Sequence, residues 1–159
     1  NSKGILLVGE APGYRGCRRT GIPFTSEDLL RNGQHPFLER LRLRIRTVGR
    51  ETEMSAKVVW DQFSRADLPP ALWNIFPFHP HKEGSGESNR APNTEEIKEG
   101  VTYLQMIVEL LRPARIVAIG KKSYSAIRDR MGLPDVAYIR HPSFGGASEF
   151  KLALRQLGN

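Results

Sequence analysis

Cysteine is nearly absent from this chain: Cys17 is the one cysteine among 159 residues. A lone thiol cannot form an internal disulfide, a four-cysteine zinc site or a cysteine-ligated iron–sulfur cluster. We therefore expect a reducing, cytoplasmic setting for this protein.

Long hydrophobic runs are missing as well. The apolar stretches, such as residues 5–8 and 116–119, fall far short of the roughly 20 residues that span a bilayer, and no signal-peptide pattern opens the sequence. With 39% hydrophobic and 26% charged residues, the composition indicates a globular domain. The length favours a single domain over residues 1–159, and the first predicted strand starts so early that we expect further sequence before it.

Acidic residues are scarce in the first third of the chain. Residues 1–50 contain ten basic and four acidic side chains, which accounts for +6 of the total net charge of +7. Such an asymmetry predicts a basic face that contacts the phosphates of a polyanion such as DNA. A solvated basic surface is the alternative that charge alone leaves open.

Short apolar segments have the composition of buried β-strands. They are residues 4–9, 72–76, 115–120 and 136–140. The helical patterns between and after them are residues 52–66, 94–111, 121–131 and 147–157. Strands that alternate with helices form right-handed crossovers and a sheet covered on both faces. The sequence therefore predicts an α/β fold, a three-layer α/β/α sandwich with a central, mainly parallel four-stranded sheet.

Two segments allow more than one assignment. Residues 40–46 alternate Arg with Leu or Ile and predict an extended amphipathic segment, although residues 36–38 also fit the start of a helix. Residues 79–92 are rich in Gly, Ser, Asn and Pro. They predict a long loop, and loops of this length are often functional.

Polar residues follow the carboxyl ends of the predicted strands, where open parallel sheets bind ligands. Glu10 follows the first strand, Asn74 lies in the second and His141 follows the fourth. A carboxylate, an amide and an imidazole at one edge can orient water, bind a polar ring edge and stabilise a developing anion. No Walker or dinucleotide-binding motif is present.

Five motifs occur in order along the chain. They are VGEAPG at 8–13, TGIPF at 20–24, WNIFP at 73–77, LRPARIVAIG at 111–120 and RHPS at 140–143. Together they resemble the uracil-DNA glycosylase superfamily and are most similar to its family with a GEAPG motif. The resemblance covers essentially the whole chain. It implies an enzyme that flips a base out of DNA and hydrolyses its N-glycosidic bond.

The resemblance also implies roles for individual residues. Phe24 matches the aromatic residue that stacks on the flipped base. Asn74 matches the amide that pairs with the uracil edge, and His141 matches the histidine that stabilises charge at the base O2. Backbone N–H groups of the loop after the first strand would help to hold the ring and a nearby phosphate. The substrate-binding residues expected in this loop are Gly9, Ala11, Pro12 and Gly13.

Glu10 has two alternative roles by the same resemblance. In the branch of the superfamily with a catalytic aspartate in the first motif, that aspartate falls at Ala11, and a thymine-excluding tyrosine falls at Gly13. Glu10 therefore either orients the attacking water, which we favour, or guards the C5 side of the pocket. Because Gly13 has no side chain, the pocket has room beside C5 of the base. Uracil, 5-substituted uracils, hypoxanthine and other modified bases are therefore all possible substrates.

Other residues are expected to contact DNA. They are Arg15, Arg18, Arg19, Ser143, Phe144 and Gly145. The arginines precede the base-stacking aromatic and can reach phosphates, with solvated side chains as the alternative. Phe144 is either a wedge that fills the vacated base stack or a core residue.

The resemblance implies no cofactor in this chain. The GEAPG family holds an iron–sulfur cluster on four cysteines, but Phe78 and Gly100 stand at two of those positions here. His79 and His81 resemble a metal-binding pair but lack a third ligand, so we expect no metal site. We expect a monomer whose partner is single- or double-stranded DNA.

The leading hypothesis is a monofunctional DNA glycosylase of base excision repair that removes uracil or a related pyrimidine with water. No lysine is evidently placed as a Schiff-base nucleophile, so strand cleavage is not expected. A non-catalytic module of the same fold that binds DNA or a modified base is the main alternative, because Ala11 replaces the water-activating aspartate. A hydrolase of free nucleosides or nucleotides is a third hypothesis, against which the basic first third of the chain argues.

Overall fold

The computed structural model describes residues 4–64, 66 and 68–157. Four strands form one sheet in the order β2-β1-β3-β4, and every neighbouring pair is parallel. The strands are β1 (Ile5–Gly9), β2 (Ala71–Asn74), β3 (Arg115–Ile119) and β4 (Ala137–Ile139). All four overlap the predicted strands, so the predicted α/β fold is confirmed.

The sheet is buried on both of its faces. On one face Leu6 and Val8 pack in a cluster with Leu104 and Ile127, which belong to the helical segments that follow β2 and β3. Leu7 points to the opposite face and also has no exposed surface. Burial on both faces explains why these strands are continuous apolar runs. This is the central sheet of a three-layer α/β/α sandwich, as predicted.

Seven α-helices lie in the described residues. They are α1 (Cys17–Thr20), α2 (Glu27–Asn32), α3 (Pro36–Arg42), α4 (Met54–Asp61), α5 (Thr94–Leu111), α6 (Lys121–Ser125) and α7 (Ala147–Leu157). α6 continues directly into a π-helical turn over Ala126–Arg130. The predicted bounds of α5 and α7 are confirmed. Within the part of the chain that the structure describes, each helix is too short or too polar to cross a bilayer.

Residues 40–46 do not form the predicted extended segment. Pro36 begins α3, and the ring of His35 caps the helix by accepting a backbone N–H at 3.0 Å. Leu38 is buried in this helix, whereas Leu43, just past its end, is 85% exposed. The Arg–Leu alternation was a misleading signal, because Leu43 lies in solvent and Ile45 is only partly buried, so these side chains do not form one buried face. The proline start and the cap determine the structure instead.

The predicted helix over 52–66 is also shorter than expected, because α4 covers only Met54–Asp61. The two short helices α1 and α2 were not predicted. Ser26 caps α2 by accepting the N–H of Leu29 at 3.4 Å. Helices of one or two turns carry too few residues for an apolar period to be recognised.

The start of α5 is tied to the long polar loop before it. Asn93 and Glu96 form a reciprocal capping box, with bonds of 2.9 and 2.8 Å. Arg90 binds both oxygens of Glu96 at 2.6 Å, and this pairing lowers the pKa of Glu96 to about 2. Residues 79–92 are a loop as predicted, and these charge-assisted bonds order its end.

The described contacts divide the chain into two compact units. The first contains the residues up to Pro12 together with Pro70–Arg140, and the second contains Gly13–Pro69 together with the residues from His141 onward. The first unit holds the sheet, α5 and α6, and the second holds α1 to α4 and α7. The expectation that residues 1–159 work as a single domain stays a prediction.

Glu27 is a buried carboxylate in the second unit. It is 2% exposed, and it accepts the backbone N–H groups of Val48, Gly49 and Glu51 at 3.1, 2.7 and 3.3 Å. Burial raises the pKa of this carboxyl, but the three backbone donors and the charge of Arg19 outweigh it and leave the pKa below its ordinary value of 4.5. Glu27 therefore holds the loop that contains its donors while it is charged.

We expect Glu27→Gln to be less stable than the wild type by about 1–3 kcal/mol at pH 7, because an amide cannot accept all three bonds. Since the pKa of Glu27 is lowered by folding, its stabilisation is complete above about pH 4.5 and is lost as the pH falls below that value. Urea unfolding of both proteins at pH 7 and at stepwise lower pH checks this. A stability difference that stays constant down to acid pH would contradict the role of the charged carboxylate.

Candidate active site

The ends of β1 and β2 bring two candidate side chains to one edge of the sheet. Glu10 directly follows β1, and Asn74 ends β2 in register with Gly9. The pairing continues beyond the strands, because the N–H groups of Ile75 and Phe76 donate to the carbonyls of Gly9 and Glu10 at 2.8 and 3.1 Å. Asn74 is 4% exposed, whereas the Glu10 side chain is 36% exposed. A buried amide and a carboxylate that water can reach therefore share this edge.

Lys122 pairs with the Glu10 carboxylate. Its Nζ lies 3.0 Å from Glu10 Oε1. Lys122 is in the first turn of α6, which follows β3, and β3 is the other neighbour of β1 in the sheet. The ion pair directs the carboxylate through one oxygen and leaves Oε2 as an acceptor for water.

His79 supports the loop that follows Glu10. Its Nδ1 lies 2.8 Å from the carbonyl oxygen of Pro12. A carbonyl can only accept, so Nδ1 carries the proton of this bond. The ring also stacks on His81 at a centroid distance of 5.6 Å. The described residues contain no cluster of three or more potential metal ligands, and the bond to Pro12 gives His79 a supporting role in the loop.

α5 packs directly on the backbone that follows Asn74. A Cβ built on Gly100 would collide with the carbonyl oxygen of Ile75, and it would lie 2.8 Å from the carbonyl carbon of Ile75 and 2.9 Å from Cα of Phe76. Only glycine permits a helix to approach a strand end so closely. The helix therefore fixes the backbone that positions the amide of Asn74.

Phe24, in the second unit, has a left-handed backbone with φ +53° and is 6% exposed. Trp60 Nε1 donates to the carbonyl of Phe24 at 3.0 Å and to Thr25 Oγ1 at 3.1 Å. Thr20 Oγ1 donates to the carbonyl of Thr25 at 2.7 Å. A left-handed non-glycine residue costs about 1 kcal/mol or more, and these bonds offset that cost and hold the backbone at Phe24.

The ring of His141 lies beside that of Phe24, with centroids 6.5 Å apart and planes inclined by 36°. Its Nδ1 is 2.7 Å from Ser143 Oγ and accepts the backbone N–H of Ser143 at 3.2 Å. A backbone N–H can only donate, so the neutral ring carries its proton on Nε2. Nε2 is therefore the donor nitrogen of the neutral ring.

Phe144 is not a core residue, because it is 98% exposed. That alternative from the sequence is wrong. Its φ is +51° and that of Gly145 is +78°, and the N–H of Gly146 closes the turn on the carbonyl of Ser143 at 3.1 Å. A tight turn therefore presents an aromatic ring to solvent.

The arginines predicted to contact DNA lie in the loop and short helix that begin the second unit. Arg18 and Arg19 are exposed. Arg15 is already engaged, because its Nε donates to the Tyr14 hydroxyl at 2.7 Å and lies 3.7 Å from the Glu51 carboxylate. The Arg15 side chain is still 62% exposed, so all three charges can be reached from solvent.

Glu53 borders the space at Gly13 that the sequence predicts to be open. Its carboxylate atoms lie 3.8 Å from the position of a Gly13 Cβ. Oε1 accepts from the Ser55 hydroxyl, and Oε2 is buried without a partner among the described residues. Burial, together with the Glu53 charge, raises the pKa of Cys17 to about 12. The thiol therefore stays protonated and is not a nucleophile.

The contributions of Lys122 and Glu53 were not predicted from the sequence. Lys122 and Glu10 are 112 residues apart, and the one available signal was that each follows a strand of the predicted sheet. Glu53 lies near the start of a predicted helix and carried no signal of its contact with Gly13. Both contributions depend on contacts between segments that no local pattern describes.

A family model described as the Uracil DNA glycosylase superfamily matches residues 1–156 of this chain. The matched range contains every candidate residue named above. No curated protein sequence matches the chain closely enough to count as a relative.

Proposed function

Since the chain belongs to the uracil-DNA glycosylase superfamily, whose members are generally hydrolytic glycosylases that act on DNA, we propose that it is a monofunctional DNA glycosylase. Its substrate is a flipped-out uracil or a related pyrimidine in DNA. The observation that carries the proposal is the pair formed by Glu10 and Asn74 at the ends of adjacent parallel strands. A carboxylate for water and a buried amide for a base are the two groups that this hydrolysis needs first.

The first unit supplies the water and the recognition of the base. Asn74 has one acceptor and two donors on its amide, which matches the O4 and N3–H edge of uracil. Glu10, oriented by Lys122 through Oε1, accepts a proton from water through Oε2. The water oxygen attacks C1′ of the sugar as that carbon gains oxocarbenium character.

The resemblance to the superfamily assigns the stacking surface to Phe24 and the donor for the leaving group to His141. Phe24 stacks on the base, and His141 donates from Nε2 to O2 of the base. As the C1′–N1 bond breaks, its electron pair moves onto the pyrimidine, and the hydrogen bond stabilises the negative charge at O2. A new C1′–O bond forms with water, and the water proton passes to Glu10. The base leaves as its anion and takes up a proton from solvent, to which Glu10 returns the water proton, so the products are the free base and an abasic sugar.

The ion pair between Lys122 and Glu10 also favours a second candidate function. A carboxylate already engaged by an ammonium at 3.0 Å is a less available acceptor, and Ala11 leaves no second carboxylate in the motif. A module of the same fold that binds DNA or a modified base without cleaving the glycosidic bond has these features. Product analysis separates the two functions.

The decisive assay uses matched labelled oligonucleotides with uracil, 5-hydroxymethyluracil, hypoxanthine or thymine, in single and double strands. After incubation, alkali cleaves abasic sites and the fragments are separated by length. We expect release of a pyrimidine by the wild type and by Asn32→Ala, an exposed asparagine control, and strong loss in Asn74→Ala and His141→Ala. Salt-dependent DNA binding by the wild type with no base released would refute the glycosylase and favour the binding module.

Phe144 is expected to act on duplex DNA more than on single strands. Its ring is 98% exposed, and we expect it to fill the gap left by a flipped base, where unstacking costs a few kcal/mol. We expect Phe144→Ala to lower the single-turnover rate on duplex DNA roughly 10- to 100-fold, a loss of about 1.4–2.8 kcal/mol, with little change on single strands. Phe144→Leu should restore part of the duplex rate. Equal losses on both substrates would show that the ring does not act as a wedge.

A further inference from the structure

Residues 40–50, which we call the arginine segment, carry an unusual concentration of positive charge. The segment reads RLRLRIRTVGR and contains five arginines and no acidic residue. It runs from the last turns of α3 to the loop held by Glu27. All five arginines are exposed. They are Arg40, Arg42, Arg44, Arg46 and Arg50.

Among the described residues, no ion pair neutralises a charge of this segment. The ion pairs of the described residues join Arg15 to Glu51, Arg90 to Glu96, Lys122 to Glu10 and Arg128 to Asp129. None of them involves the arginine segment among the residues that the structure describes. Arg40 lies 5.6 Å from the ring centroid of Phe37, which leaves its charge uncompensated. Five like charges on eleven residues repel one another unless an anion binds between them.

The backbone of the segment is held in place despite this repulsion. The buried Glu27 accepts the N–H groups of Val48 and Gly49, and Arg31 Nη2 donates to the carbonyl of Thr47 at 3.1 Å. At the other end, Arg42 Nη1 donates to the carbonyl of Arg31 at 3.0 Å. Burying a charged carboxylate costs free energy, and a loop that only faces solvent does not require this cost. A segment ordered in advance binds its ligand with a smaller loss of conformational entropy.

We propose that the arginine segment is a second DNA-contacting surface, which binds backbone phosphates outside the nucleotide that reacts. This inference rests on the proposed function in that it takes the substrate polymer to be DNA. Every basic residue of the segment is Arg, and the planar guanidinium binds phosphate oxygens in pairs where Lys acts only as a point charge. Sequence-independent contacts of this kind hold the enzyme on DNA and do not change the chemistry at the base.

An anionic membrane surface is the competing partner. Leu43 and Val48 are 85% and 88% exposed between the arginines, and apolar residues interspersed with basic ones also suit a lipid interface. Two aliphatic side chains supply little apolar area for insertion, and helix α3 ends before either of them. DNA is therefore the partner that the charge and geometry favour.

The test compares two variants that each lose three positive charges. The first is Arg44→Gln with Arg46→Gln and Arg50→Gln, which spares the arginine that bonds to the Arg31 carbonyl. The control is Lys57→Gln with Lys98→Gln and Arg155→Gln, three exposed cations on other elements. Fluorescence anisotropy measures binding to a uracil-free duplex over a range of salt concentrations. This readout needs no glycosylase activity, so it stays informative if no base is released.

We expect the segment variant to bind the duplex roughly 10- to 100-fold more weakly at about 0.1 M salt, with a salt slope lower by about 2–3. The control variant should change far less. On a uracil oligonucleotide the segment variant should raise KM and leave kcat unchanged. Equal effects of the two variants, or loss of binding to phosphatidylserine vesicles without loss of DNA binding, would overturn the proposal. Matching melting temperatures establish that both variants are folded.

Discussion

Glu10→Gln is expected to release uracil about 10²- to 10⁴-fold more slowly than the wild type, which is the contribution of a positioned general base. An amide keeps the size of the side chain but cannot take the proton from water. Because the Glu10 side chain is 36% exposed and its recorded partner is Lys122, the change should leave the fold intact. Single-turnover kinetics on a uracil oligonucleotide measure the effect. Glu109→Gln, on the exposed surface of α5, is the matched control.

The same variant separates the two roles that the sequence left open for Glu10. If Glu10 activates water, the rate on uracil falls and thymine stays intact. If Glu10 guards the C5 side of the pocket, the rate on uracil persists and thymine release appears. A variant with wild-type rates on both bases would remove Glu10 from the mechanism.

Gly100→Ala is expected to have the largest effect on stability, a loss of about 3 kcal/mol or more, at the upper end of the range for overpacked cores. The added methyl meets the backbone of Ile75 and Phe76, and backbone cannot rotate away as a side chain can. α5 must shift, or the strand end beside Asn74 must move. Urea unfolding at neutral pH measures the loss, and the variant should also lose affinity for the base that we propose Asn74 binds.

Gly4→Ala provides the matched control for Gly100→Ala. A Cβ on Gly4 has no atom within 4 Å, so the same chemical change there should alter the unfolding free energy by only a few tenths of a kcal/mol. The close approach of α5 to β2 would be refuted if the two variants unfolded at the same urea concentration.

The strands and the main helix were predictable because their burial leaves a direct trace in the sequence. Leu6 and Leu7 face opposite sides of the sheet and are both fully buried, so the strand reads as an unbroken apolar run. α5 begins at a recognisable cap, Asn93. The placement of Glu10 and Asn74 at one edge followed from a general rule of parallel sheets, that the carboxyl ends of neighbouring strands meet.

The parts that were missed depend on contacts that no local pattern encodes. The Arg–Leu alternation of residues 40–46 suggested a strand, but none of the four strands of the sheet comes from these residues, and a proline and a histidine cap begin a helix instead. Whether Phe144 was core or surface depended on the turn made by Gly145, which the sequence leaves undecided. The bond from Lys122 to Glu10 required the order of strands β1 and β3 in the sheet.

Phe144 combines a left-handed backbone with a ring that lies almost wholly in water. The left-handed backbone costs about 1 kcal/mol of folding free energy relative to glycine. The ring is exposed, so its burial contributes no stabilising free energy. At this turn, folding stability favours a different residue from the one that the proposed contact with DNA requires. Homologues that do not act on duplex DNA should therefore carry glycine or asparagine at this position. Homologues that act on duplex DNA should keep an aromatic residue. The residue that homologues carry at this position therefore tests whether the aromatic ring acts as a wedge.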